Sequence, residues 1–253
     1  IAITPILLSI SPTPAFETTK AMSLRELMGF SPLGCVGMFL LGGVFSAQFG
    51  MASVYGSEAG LSVGEISTFV ATIFIGGMIT QYPIGWLSDR MDRRALIALT
   101  AAVGAVGASI GVMSNGDFTL ILVAAFLMGS TSNPLYSLLL AYTNDFLDHE
   151  DMAAGSGGMI FLNGLGAVSG PLITGWVMGV FGPSGFYMLI GVLFSMLAIY
   201  AVYRATQRPA IPVDETGSFV AMSQSAMTPV AMEIAQEYAI ETDLEDESEI
   251  PAE

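Results

Sequence analysis

The side chains with the most chemical capacity lie in two short charged stretches. Ser88–Arg94 contains Asp89, Arg90, Asp92, Arg93 and Arg94, and so three of the seven basic residues of the chain, between two long apolar runs. It reads as a tight turn at one face of a membrane, with a helix arriving at Trp86 and another leaving near Ala95. The second stretch sets His149 among Asp145, Asp148, Glu150 and Asp151. A metal site is conceivable there, but a solvated acidic loop is the simpler reading, and no metal is assigned. No nucleophile–base pair, phosphate-binding loop or zinc-ligand spacing occurs. The chain therefore does not read as an enzyme, and it calls for no cofactor and no nucleic acid.

Inside the apolar runs the candidate buried polar side chains are Gln48, Gln81, Asn133, Tyr136 and Asn163. They either face a substrate cavity or bond between helices. Asn133-Pro134 predicts a broken helix with free carbonyls, a device found where transporters bind solutes. No Asp, Glu, Lys, Arg or His lies deep within a run. Such residues inside a membrane mark proton relays and ion paths. If transport is coupled to protons, the coupling carboxylate is therefore expected elsewhere, in a missing half.

The elements that must hold these residues follow from composition. Of 253 residues 53% are hydrophobic and 11% charged, with a mean hydropathy of +0.68. A soluble domain carries about 25% charged residues. Six segments approach or exceed the ~20 residues that a transmembrane helix needs. They are about Leu33–Val54, Ile66–Leu87, Ala95–Met113, Phe118–Asn144, Ala153–Val180 and Gly185–Tyr203. The joints between them, Tyr55–Glu65, Ser88–Arg94, Ser114–Asp117, Asp145–Met152 and Phe181–Ser184, supply Gly, Pro, Asn, Asp and Ser. The fold class is thus an all-α membrane protein with six transmembrane helices in residues 33–208.

Before the bundle, Ile1–Ser11 reads as the truncated end of a preceding helix. Residues 12–32 form a polar link, with a short amphipathic helix expected around Ser23–Phe30. Residues 209–253 carry 11 acids and no base, while the first 208 residues carry the other 11 acids and all seven bases. In this tail Thr228-Pro229 opens a helix over Val230–Ile240. Glu241–Glu253 is an acidic run. With six spans every base falls on one side: Lys20 and Arg25, then Arg90, Arg93 and Arg94, then Arg204 and Arg208. Basic loops stay cytoplasmic, so both ends of this piece are expected in the cytoplasm. The single cysteine, Cys35, permits no internal disulfide.

The charged turn resembles the signature loop of the major facilitator superfamily, G-x-L-a-D-R-x-G-R-K-x-x-L. Gly85, Leu87, Asp89, Arg90 and Arg93 match, Arg94 replaces the lysine, Ile97 the last leucine and Asp92 a glycine. Tyr82-Pro83-Ile84-Gly85 and Ala141-Tyr142-Thr143-Asn144-Asp145 are similar to a bacterial subgroup of that superfamily, the YcaD-like facilitators. The resemblance implies the C-terminal six-helix half of a major facilitator fold, in an inner membrane, with the N-terminal half missing. It implies secondary active transport of a small solute by alternating access. The competing reading is a non-transporting sensor or scaffold of the same fold, acting through its tail. The loop aspartate, Asp89, would cap a neighbouring helix start and pair with Arg93 and Asp145, with Gly85, Arg90 and Arg94 completing a conformational switch. Cavity-facing helices of the family favour Gln48, Asn133 and Tyr136. Gly157, Gly166, Gly170, Pro171 and Gly175 resemble a glycine-proline motif of antiporters, with Pro171 bending its helix.

Overall fold

A computed structural model describes residues 22–207 together with Gly217 and Phe219. The N-terminal stub, the link before Met22, the tail helix expected at Val230–Ile240 and the acidic run lie outside the described residues, as do the side chains of His149 and Glu150. All described regular structure is helical. In chain order it comprises α1 (Leu24–Phe30), α2 (Pro32–Phe45), a π-helical turn (Ser46–Gly50), α3 (Ala52–Glu58), α4 (Val63–Ser88), α5 (Arg93–Met113), α6 (Phe118–Asn144), α7 (His149–Phe181) and α8 (Gly185–Ala205). Six stretches are long and apolar enough to cross a membrane; the first is α2 with its π-turn, and the rest lie within α4 to α8.

Local chemistry explains the boundaries. Ser23 and Glu26 form a reciprocal capping box on α1, and Ser62 and Glu65 repeat it on α4, each satisfying two main-chain donors left free at a helix start. Ser31 caps α2 ahead of Pro32, whose missing N–H costs nothing at that position. Asp117 caps α6 through the N–H groups of Thr119 and Leu120. The joint expected over Tyr55–Glu65 shrinks to four residues, because α3 continues to Glu58 and the capping box starts α4 at Val63.

The packing has α2 in contact with α6, α7 and α8, while α6 packs on both α4 and α5 and α8 packs on α5. Close approach between α2 and α7 needs residues without side chains. A Cβ on Gly42 would run into the Asn163 carbonyl, and one on Gly166 into the Phe39 carbonyl. At one end of the bundle Tyr55 stacks on Phe186 at 4.8 Å and lies 5.4 Å from Phe69. These rings join α3 to the starts of α4 and α8. The opposite end gathers the start of α2, where Ser31 Oγ lies 3.1 Å from Thr143 Oγ1, with the ends of α4 and α6 and the start of α5.

Asn133-Pro134 does not break its helix. α6 runs through Pro134 without interruption. Proline lacks the N–H that would bond the Ser130 carbonyl, and Thr80 Oγ1 from α4 donates to that carbonyl instead, at 2.7 Å, sharing its one proton with the Gly76 carbonyl at 2.8 Å. The first span departs from α geometry at the π-turn, a position that the sequence does not flag. α4 and α7 leave long apolar faces uncovered among the described residues, with Met78, Tyr82, Val168, Leu172 and Trp176 all more than two-thirds exposed.

Candidate functional site

The loop Asp89–Asp92 is only four residues long, so α4 and α5 enter and leave it almost side by side. Asp92, which stands where the superfamily signature has glycine, has φ −55° and ψ 114°. No left-handed conformation is needed here, so the substitution is unstrained. Asp92 caps α5 instead, accepting the Arg94 N–H at 2.9 Å. It also takes the Arg94 guanidinium, Nε at 3.1 Å and Nη2 at 2.9 Å. Burial raises the Asp92 carboxyl, but the Arg94 bonds outweigh it and hold the group below the usual carboxylate range.

Arg93, the first residue of α5, is 4% exposed. A guanidinium so placed must find acceptors for its fork of donors. Nε donates to Ser88 Oγ at 3.1 Å and Nη1 to Asp145 Oδ1 at 2.6 Å. Nη2 donates to the Gly217 carbonyl and lies 3.5 Å from Asp89 Oδ1. The Asp145 side chain is as buried as its partner, whereas that of Asp89 is 41% exposed. Desolvation pushes the Asp145 carboxyl above its ordinary value, even though Arg93 and the Gly217 N–H pull it down. One buried arginine thus ties the last turn of α4, the first of α5 and the last of α6.

The six residues expected to form the switch divide. Asp89, Arg93 and Asp145 meet. Gly85 lies one turn back on α4, under the Phe219 ring. Arg90 turns away, donating to the Trp86 carbonyl at 3.0 Å and covering the Trp86 ring at 4.2 Å. Arg94 is engaged with Asp92. Among the described helices Asp89 caps no start: α5 begins behind Asp92 and α7 behind Asp148. Asp89 sits instead at the C-terminus of α4, and its Oδ1 accepts the Phe219 N–H at 3.1 Å. Sequence reasoning missed Ser88, Gly217 and Phe219. Ser88 could have been found as the hydroxyl that ends α4, across the four-residue loop from the arginine. The other two contact the loop through main-chain groups and a ring, which leave no charge or spacing signal.

The polar side chains in the spans also divide. Gln81 Nε2 donates to Ser137 Oγ at 3.2 Å, bridging α4 and α6, and Asn163 Nδ2 donates to the Met38 carbonyl at 3.2 Å, bridging α7 and α2. Asn133 is half-buried and packs where Gly77 has no side chain. Tyr136 is buried, 6.2 Å from the Phe45 ring. Gln48 is fully buried in the π-turn, with neither amide atom bonded among the described residues. Of the α7 residues, Gly166 and Gly170 meet α2 and Ser46 of the π-turn, Gly175 meets only Met51, and a side chain at Gly157 would meet nothing. α7 runs through Pro171 as one helix.

Comparison with known proteins follows the same lines. The family model described as Major Facilitator Superfamily matches residues 33–238. A relative named "Uncharacterized MFS-type transporter YcaD" in Escherichia coli O7:K1 (strain IAI39 / ExPEC) is 23% identical over 195 residues, 77% of this chain and 49% of the relative. The protein of the same name in Escherichia coli (strain K12 / DH10B) is 23% identical over 191 residues, 76% of this chain and 48% of the relative. The chain spans about half the length of these curated relatives.

Proposed function

The chain belongs to the major facilitator superfamily, and on that premise we propose that it serves secondary active transport of a small solute by alternating access. It supplies the C-terminal six-helix half of the transporter, and an N-terminal half covers the exposed faces of α4 and α7. Between the two halves, near the midplane, lies the solute site. Of Gln48, Asn133 and Tyr136, half-buried Asn133 on α6 is the one open to such a solute, whereas Tyr136 on α6 and Gln48 in the π-turn are sealed inside this bundle, the Gln48 amide without a partner among the described residues.

The observation that carries this reading is Arg93, buried where three helix ends converge and bonded to Ser88 and Asp145 with Asp89 nearby. Charge-assisted bonds are strong where water is scarce. They hold the helix ends together while this face is closed, and they must rearrange when it opens. Arg90, Arg93 and Arg94 lie at this end, and the positive-inside rule supports a cytoplasmic face for it, in a bacterial inner membrane.

Reconstitution of the full-length protein in liposomes tests the proposal. Uptake of a panel of labelled sugars, amino acids, carboxylates and organic cations is expected to show at least one saturable flux, which Asp145→Asn and Asp89→Asn alter. Absence of flux across the panel, with tail-dependent partner binding retained, would favour the sensor reading. Flux indifferent to both variants would remove the switch assignment.

A further inference from the structure

Gly217 and Phe219 lie well beyond the last residue of α8, yet they return to the charged loop. The Gly217 N–H donates to Asp145 Oδ1 at 3.3 Å, and its carbonyl accepts from Arg93 Nη2. The Phe219 N–H donates to Asp89 Oδ1 at 3.1 Å. Both acids and the arginine of the network therefore bind main-chain atoms of one short stretch. Its apolar side chain is seated as well. Gly85 carries no Cβ, and one built there would lie 2.5 Å from the Phe219 ring, so the glycine makes the room that the ring fills. Phe219 packs against the hydrophobic core from this position.

We propose that Gly217 and Phe219 form an intramolecular latch, by which the C-terminal tail holds the loop between α4 and α5 closed until the tail is released. The latch rests on the reading of Asp89, Arg93 and Asp145 as a switch. Its grip is suited to reversal. It engages the acids through N–H groups and the arginine through a carbonyl, so it adds no charge to the site. One ring over one glycine gives it register. A partner or lipid surface that draws the tail away would leave the Arg93 network intact but less braced, and the face would open more readily.

The test uses the full-length protein in lipid nanodiscs. In a chain whose Cys35 is replaced by alanine, a Gly85→Cys/Phe219→Cys pair, with a protease site inserted after Ile211, is oxidised mildly and then cleaved. The tail is expected to stay attached on a non-reducing gel and to leave on reduction, while either single-cysteine variant releases it. Release from the oxidised pair overturns the contact. In chains without these cysteines, deletion of residues 209–253 and Phe219→Pro are each expected to speed hydrogen exchange over residues 86–96 about tenfold, the scale of one hydrogen bond to a charged group. Unchanged exchange in both variants overturns the holding role. Neither readout needs solute flux. A protein that passes both and transports nothing keeps the latch and loses the transport proposal, and one that transports but fails either loses the latch alone.

Discussion

Replacing Arg93 with alanine removes the one cation that the described part of the network shares. Asp145, with a side chain 4% exposed, would then be left without its 2.6 Å partner. Stripping one member from a buried ion pair costs about 3–5 kcal/mol when the other stays charged. Because desolvation already raises the Asp145 carboxyl, protonation would relieve part of that cost. The Asp89 contact is different in kind. At 3.5 Å, with the carboxylate 41% exposed, it resembles surface helix pairs worth about 0.3–0.5 kcal/mol. Two double-mutant cycles separate the contributions. Arg93→Ala with Asp145→Asn is expected to show a coupling of about 1.5–3 kcal/mol, and Arg93→Ala with Asp89→Asn one below about 0.5 kcal/mol. Equilibrium unfolding of the full-length protein in mixed detergent–SDS micelles supplies both. Equal couplings, or a larger one for Asp89, would refute the assignment of the network's strength to the buried pair.

Further expectations concern other links in the structure. Thr80→Val leaves the Ser130 carbonyl without the donor that replaces the Pro134 N–H, at a cost of about 1–3 kcal/mol; in a Pro134→Ala background the penalty should largely vanish, and an equal penalty there would contradict the account. Gly166→Ala drives a Cβ into the Phe39 carbonyl and should lower the unfolding free energy by about 1–3 kcal/mol or more, whereas Gly157→Ala, with nothing among the described residues within 4 Å, should not. The raised Asp145 carboxyl means that this packed state binds a proton more readily than an unfolded one. Its contribution to stability is therefore fullest below the ordinary carboxylate pKa of about 4 and declines as pH rises from there through the raised value. Asp145→Asn should abolish that decline, and a pH dependence identical in the variant would assign it to another group.

Much of the scaffold was legible in the sequence because membrane helices announce themselves by length and apolarity. The turn at Ser114–Asp117 and the helix from Phe118 to Asn144 stand where composition puts them. The charged loop was legible as a run of ions in an apolar chain. Its pattern of bonds was less so. Arg90 and Arg93 are alike in sequence, yet one sits at a helix start facing two acids and the other finds an indole. Pro134 misled: the helix runs on through it, and Thr80, which donates to the freed Ser130 carbonyl, is 54 positions away in the chain, where no local pattern announces the pairing. The π-turn at Ser46–Gly50 and the return of Gly217 and Phe219 carry no periodicity or charge signal at all.

The central claim is that the Arg93 network closes this face of a transporter that opens to both sides in turn. A single cysteine at Asn133, in a chain whose Cys35 is replaced by alanine, tests it most directly. In oriented vesicles of the full-length protein, an impermeant maleimide should reach this cysteine from either side of the membrane. Arg93→Ala should speed labelling from the side of the charged loop about tenfold or more, as loss of ~1.4 kcal/mol or more from the closed state requires. Labelling from that side that ignores Arg93, or a cysteine that no reagent reaches from either side, would contradict the account.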